Sequence, residues 1–500
     1  MGKRVHMLCF LVVSILALAA CAPPIGRPGA TATVEQTRVA VTTVAPAGRP
    51  TFTVPASTPP PVETPGPGVS TATPSPTHTS TPAFTPTPTF TPTSVQTPGP
   101  GVSTPTLWPT PDPSQLVAQP GTAWRFELVG HEALGAVGWH AGLALKDQCA
   151  YVGSCGRSSV AIVDVSDPAG PALLRTLDLA TGARPVELRV LPDLNLLVVV
   201  DLSPAAALAT YDVTDCTQPV RLGSLTLAHP AHEFYLWRDE ERVLAYVGTF
   251  DHYPPYMLVI DLTDPAQPVE VGRWSAADEG VAGILHSLSV SPDGSTAYLA
   301  MWHGGFVVAE IALPEIGVVR DADGTFTPAL FPNTHSAVPL ADPRYVLLAS
   351  EVFKCPFEGL AIADIADPAH PQIVAHFRLP ENRCDGLPPG GVFTPHNPLV
   401  VGDMAFVSWY GAGVQAIDLS DPYAPTRVGQ FVPSGEGAAE RSYLGTYPVQ
   451  MCSYPIWRDG LIYVVDSQSG LYVLRYTGPG SDALLDVPWA EGNVTIGPGS

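Results

Sequence analysis

Six residues able to bind a metal stand at one repeating distance from a turn in this 500-residue sequence. Seven positions before Asp147, Asp193, Asp239, Asp293, Asp342, Asp403 and Asp459 come His140, Val186, His232, His286, His335, His396 and Cys452. Imidazole and thiolate hold zinc, copper or iron at neutral pH. His140, His232, His286, His335, His396 and Cys452 are therefore candidate ligands of a transition metal, copper or zinc, or the lining of a site for an anionic ligand. The residues after the histidines are Ala141, Glu233, Ser287, Ser336 and Asn397, a variation that speaks somewhat against plain duplication of a structural motif. The competing reading is a structural ring, each imidazole bonding a neighbouring backbone carbonyl.

A repeat must hold these residues at their spacing. Val160, Ala161, Ile162 and Val163 form an apolar, β-branched run that suits a buried strand. Asp164, Ser166, Asp167 and Pro168 then open a turn: the aspartates can bond backbone ahead of them, and proline presets φ. The phrase returns at residues 211–219, 259–268, 362–371 and 416–425, with weaker echoes at 307–314 and 471–479. A period of roughly 46 to 61 residues with several strands per repeat marks a propeller blade.

The phrase resembles the LVIVD repeat of secreted or surface bacterial proteins. That resemblance covers residues 122–478 and implies an all-β fold, a seven-bladed β-propeller. In each blade an inner strand leads to a second strand, such as that holding Ala150, Tyr151 and Val152, then to the repeated strand and an outer one. Trp124 to Gly130 looks like an outer strand with no blade before it, and the last blade lacks its fourth strand, so the N-terminal strand should close the ring. The histidine positions fall at the start of the innermost strands, around a channel mouth. Alternation along the strand leaves open whether they face the channel or the blade interface. Loops on the same face supply His229, His252, Trp302, His303, Trp409, Tyr410, Arg157 and Arg383, whereas His370 falls in an opposite turn and His376 in an outer strand.

A more distant resemblance links Ser291-Pro292-Asp293-Gly294 and Ala300 to Gly304 with the selenium-binding protein family, whose methanethiol-oxidising members are copper propellers. It implies His303 as a further copper ligand and, as the alternative function, a metal-dependent oxidase of a small reduced substrate. Asp321-Ala322-Asp323-Gly324-Thr325 resembles the start of a calcium loop, lacks its later acidic ligands and reads as a hairpin turn.

Formal net charge is −22 with 24 basic residues, which argues against nucleic acid as a partner. No Gly-x-Ser-x-Gly, phosphate loop or dinucleotide fingerprint occurs. Residues 1–21 read as an export signal, with Lys3, Arg4 and an apolar run before Leu18-Ala19-Ala20-Cys21, a bacterial lipobox. Cys21 is the expected lipidation site, anchoring the protein to a membrane outside the cytoplasm. Residues 22–121 form a Pro/Thr-rich stalk without the apolar content for a core, and residues 479–500 read as a loose tail. Export permits disulfides: Cys355 and Cys384 share the histidine face and are expected to pair, and Cys149 and Cys216 could pair on the other. The expected protein is a monomer that binds a protein or small molecule over its histidine-rich face.

Overall fold

A computed structural model describes residues 118–135, 138–249, 256–384, 386–436, 438 and 444–494. Cys21, the stalk up to residue 117, and His252 lie outside them.

Seven antiparallel sheets succeed one another among the described residues and form a seven-bladed β-propeller. Blade one consists of His140–Lys146, Cys149–Ser154, Ser159–Asp164 and Ala172–Asp178, paired in that order. The first strands of blades two to seven are Pro185–Leu191, Phe234–Arg238, Ser287–Val290, Thr334–Pro339, Pro398–Val401 and Ile456–Arg458. Most first strands touch those of neighbouring blades, which places them round the axis. Inner and middle strands are buried on both faces, and this is why they read as continuous apolar runs.

The repeated phrase works as turn chemistry. Asp164 Oδ1 accepts from the Ser166 amide at 2.8 Å, and Asp167 Oδ1 from the Ala169 amide at 3.0 Å. The same two bonds recur from Asp261 and Asp264, Asp364 and Asp367, and Asp418 and Asp421. The turn also docks blade on blade: a Cβ added at Gly130, in the last blade's outer strand, would stand 2.1 Å from the Pro168 carbonyl oxygen of blade one. Only glycine admits that approach.

Closure uses the N-terminus twice. Phe126–Glu132 pairs with Gly470–Tyr476 as the outer strand of blade seven, while Thr122–Trp124 adds a fifth strand to blade six beside Thr426–Val432. Arg125, at φ 58°, turns the chain between the two sheets.

The expectation of a loose tail after residue 480 does not hold for the described residues. Trp489–Glu491 pairs with Ile456–Arg458 on the inner edge of blade seven, and Val494 bridges Leu236 of blade three. Its partners lie far away in sequence: Trp457 Nε1 donates to the Val487 carbonyl at 2.7 Å, and Glu491 is buried near Arg189. A burial pattern of three residues is too short to announce a strand.

The sulfurs of Cys149 and Cys216 are bonded, as are those of Cys355 and Cys384, with Cα atoms 5.9 and 6.0 Å apart. The second bridge clips the loop that follows Glu351.

Candidate metal centre

The histidines of four consecutive blades meet at the channel mouth. Backbone bonds fix three of them at the head of their inner strands: the amides of His232, His286 and His396 donate to the carbonyls of Gly248, Ala300 and Ser408, each at or near the end of its blade's second strand. His335 lies within its strand, where the register shifts between Thr334 and Ser336. Ring centroids are 4.8 Å apart for His232 and His286, 3.9 Å for His286 and His335, and 4.3 Å for His335 and His396. The histidines therefore face one another rather than being buried singly in blade interfaces.

Two carboxylates complete the cluster. Glu233, beside His232, and Glu351, at the end of blade five's second strand, are both buried. His335 Nε2 stands 3.7 Å from Glu233 Oε1 and 3.9 Å from Glu351 Oε2, and His396 Nε2 stands 3.7 Å from Glu351 Oε1. These gaps are too long for hydrogen bonds. His335 Nε2 and Glu233 Oε1 have no hydrogen-bond partner. The ligand atoms of Glu233, His286 and His335, and those of His335, Glu351 and His396, each lie within 4.8 Å of one another.

Several atoms of these groups are held by neighbours. His335 Nδ1 is 2.7 Å from Ser336 Oγ, and His396 Nδ1 is 2.5 Å from the Cys452 carbonyl oxygen. Tyr410 Oη donates to Glu351 Oε1, and Tyr454 Oη donates to Glu233 Oε2 at 3.0 Å. One ring nitrogen is thus fixed while the other faces a carboxylate, as a second shell holds metal-binding imidazole. The backbone-bonding alternative holds for His396 Nδ1 and leaves its Nε2 available.

Burial sets the protonation of the metal-free cluster. It lowers the pKa of His232 to about 4 and of His396 to about 3, and holds His286 and His335 well below the usual imidazole value. It raises Glu233 and Glu351 to about 8. Metal-free protein therefore carries neutral imidazoles and largely protonated carboxyls at pH 7. For the histidines, whose folded pKa is depressed, stability is complete above the unfolded value near 6.5 and is lost as pH falls towards 4. For the glutamates, whose folded pKa is raised, it is complete below about 4.5 and is lost as pH rises through 8. Melts of the protein should show both limbs, and a metal ion bound to these carboxylates would take them ionised and remove the alkaline one. A metal-free melt that is flat from pH 4 to 8 would refute this protonation scheme.

Other expected site residues lie elsewhere. His140, in blade one, is separated from the cluster by blade two, which carries Val186 at that position, and its pKa falls to about 4 through burial and Arg157. The thiol of Cys452 is aimed at the carbonyls of His140 and Val465, at 3.5 and 3.6 Å. Burial pushes its pKa well up, so it stands as a thiol rather than the expected thiolate, and neither it nor His140 joins a ligand group among the described residues. His303 is exposed, its ring edge-on to Trp302 at 6.2 Å, and is also outside both groups. Trp302 and Tyr410 reach the cluster, 4.7 Å from the rings of His286 and His396 respectively. Asp321, Asp367 and His370 form a third group on the surface, where His370 Nε2 bonds Asp321 Oδ2 at 2.8 Å. Asp323 Oδ1 accepts from the amide and hydroxyl of Thr325, which makes that segment a turn.

Glu233, Glu351 and Tyr454 were not among the expected site residues. Glu351 carried a signal: it is an acid closing an otherwise apolar strand, Tyr345–Ser350.

The LVIVD repeat family matches residues 140–178, which is blade one. Solved structures similar to the chain include the β-propeller domain of Cps50 (Swd1) from Myceliophteria thermophila, at 12% identity and a TM-score of 0.46, covering 70% of this chain and 98% of that one. The WD40 repeats of RRP9 align at 10% identity and a TM-score of 0.49, covering 70% and 97%. No curated protein matches the chain.

Proposed function

We propose that this protein is a cell-surface lipoprotein whose propeller binds a transition-metal ion at the channel mouth and uses that face to bind a ligand or partner. The propeller fits a binding role, and the metal reading rests on one observation. His335 Nε2 is buried, has no hydrogen-bond partner, and faces two buried carboxylates at 3.7 and 3.9 Å. Donors held about 2.0–2.2 Å from a common ion stand roughly 3–4 Å apart, a spacing that leaves hydrogen bonds unmade but suits coordination. Mixed imidazole and carboxylate donors suit zinc, copper or iron. His286 and His335 with Glu233, and His396 with Glu351, would supply the ligands. Purified full-length protein should carry about one equivalent of such a metal by elemental analysis. Metal-free protein that takes up neither zinc nor copper on dialysis would overturn the reading. The oxidase alternative is favoured by no observation at this site.

Anchoring rests on Leu18-Ala19-Ala20-Cys21 and the Pro/Thr-rich segment after it. Cys21→Ser should move the protein from the membrane to the soluble fraction of its host, and an unchanged membrane fraction would refute the anchor.

A further inference from the structure

The chain's last described residues lie against the inner strands of two blades. With Trp489–Glu491 seated on blade seven and Val494 against Leu236, the segment crosses the axis towards blade three. A buried cation awaits it there. Arg189 Nη1 donates to Glu187 Oε2 at 2.6 Å, its Nε lies 3.8 Å from Glu491 Oε1, and its guanidinium covers the Tyr454 ring at 5.2 Å. Asn493, its amide oxygen turned to face donors, accepts from Arg189 Nη2 and Tyr454 Oη, each at 3.1 Å.

Tyr454 Oη thus stands between Asn493 and Glu233 Oε2, with the hydroxyls of Ser287 and Ser336 at 3.1 and 3.3 Å. Its single proton goes to one of these two acceptors at a time, and the serines can donate to its oxygen. This bond fixes one oxygen of Glu233 and leaves the other facing His335.

We infer that the C-terminal strap is part of the metal site: Asn493 and Tyr454 are positioning residues that orient Glu233 towards the ion. The inference rests on the metal reading above. Without the phenolic hydroxyl, Glu233 Oε2 loses the Tyr454 bond and the carboxylate is held by the Ser287 hydroxyl alone. Outer-shell partners of this kind typically change metal affinity by about 10- to 100-fold when removed.

The test uses the full chain stripped of metal and titrated with Co2+, whose visible absorption reports ligand geometry. Tyr454→Phe keeps the ring under Arg189 and removes only the hydroxyl. It should weaken Co2+ binding by about 10- to 100-fold and shift the visible bands. Asn493→Ala should shift them in the same direction by less. If wild type binds Co2+ and both variants match it in spectrum and affinity, the strap is only structural and the inference is overturned alone. If wild type binds no Co2+, the metal reading falls and the inference with it.

Discussion

Replacing His286 and His335 together with alanine should abolish metal binding while the propeller still folds. His335 belongs to both ligand groups and His286 to one, so the pair removes the shared donor and leaves neither group three ligands. Both side chains are buried, so some packing is lost, on the order of 1–3 kcal/mol for each substitution by analogy with other truncations of buried side chains. Desolvated neutral imidazoles contribute less than well-paired ones, which keeps the cost at the lower end. Elemental analysis and a thermal melt read the two effects separately. Full metal content in the double variant would move the site elsewhere.

Deleting residues 122–132 should have the largest effect on stability. It removes the outer strand of blade seven and the fifth strand of blade six at once, leaving two sheet edges unpaired. It also removes Phe126, which packs 5.4 Å from the Tyr476 ring and 6.3 Å from Phe406. Truncating a buried phenylalanine alone costs roughly 3–5 kcal/mol. Cooperative unfolding should be lost or shifted steeply down, whereas deleting residues 25–110 should leave the melt unchanged. Equal melts for the two deletions would show that the ring closes without its N-terminal strands.

The repeat was legible because four of the seven blades restate the same local rules: an apolar strand, an Asp-Pro turn, and a return strand. The aspartates do what their chemistry predicts, accepting amides two residues ahead. The four clustered histidines were legible by their common register. What the register could not say is which blades adjoin in the cluster: His140 shares the spacing but lies beyond blade two, and Cys452 turns its sulfur to carbonyls. Glu351 lies sixteen residues after His335, outside the histidine register, so only the folded blade brings it back. The same holds for the strap. Glu491 and Arg189 are separated by most of the propeller in sequence, and a three-residue strand leaves no periodicity to read.

X-ray absorption on the metal-loaded protein tests the central claim most directly, because it reads donor type and distance at the ion itself. The cluster of His286, His335, His396, Glu233 and Glu351 predicts a first shell of nitrogen and oxygen only, at about 2.0–2.2 Å, with imidazole scattering beyond it. A sulfur shell near about 2.3 Å would bring Cys452 into the site and contradict this account.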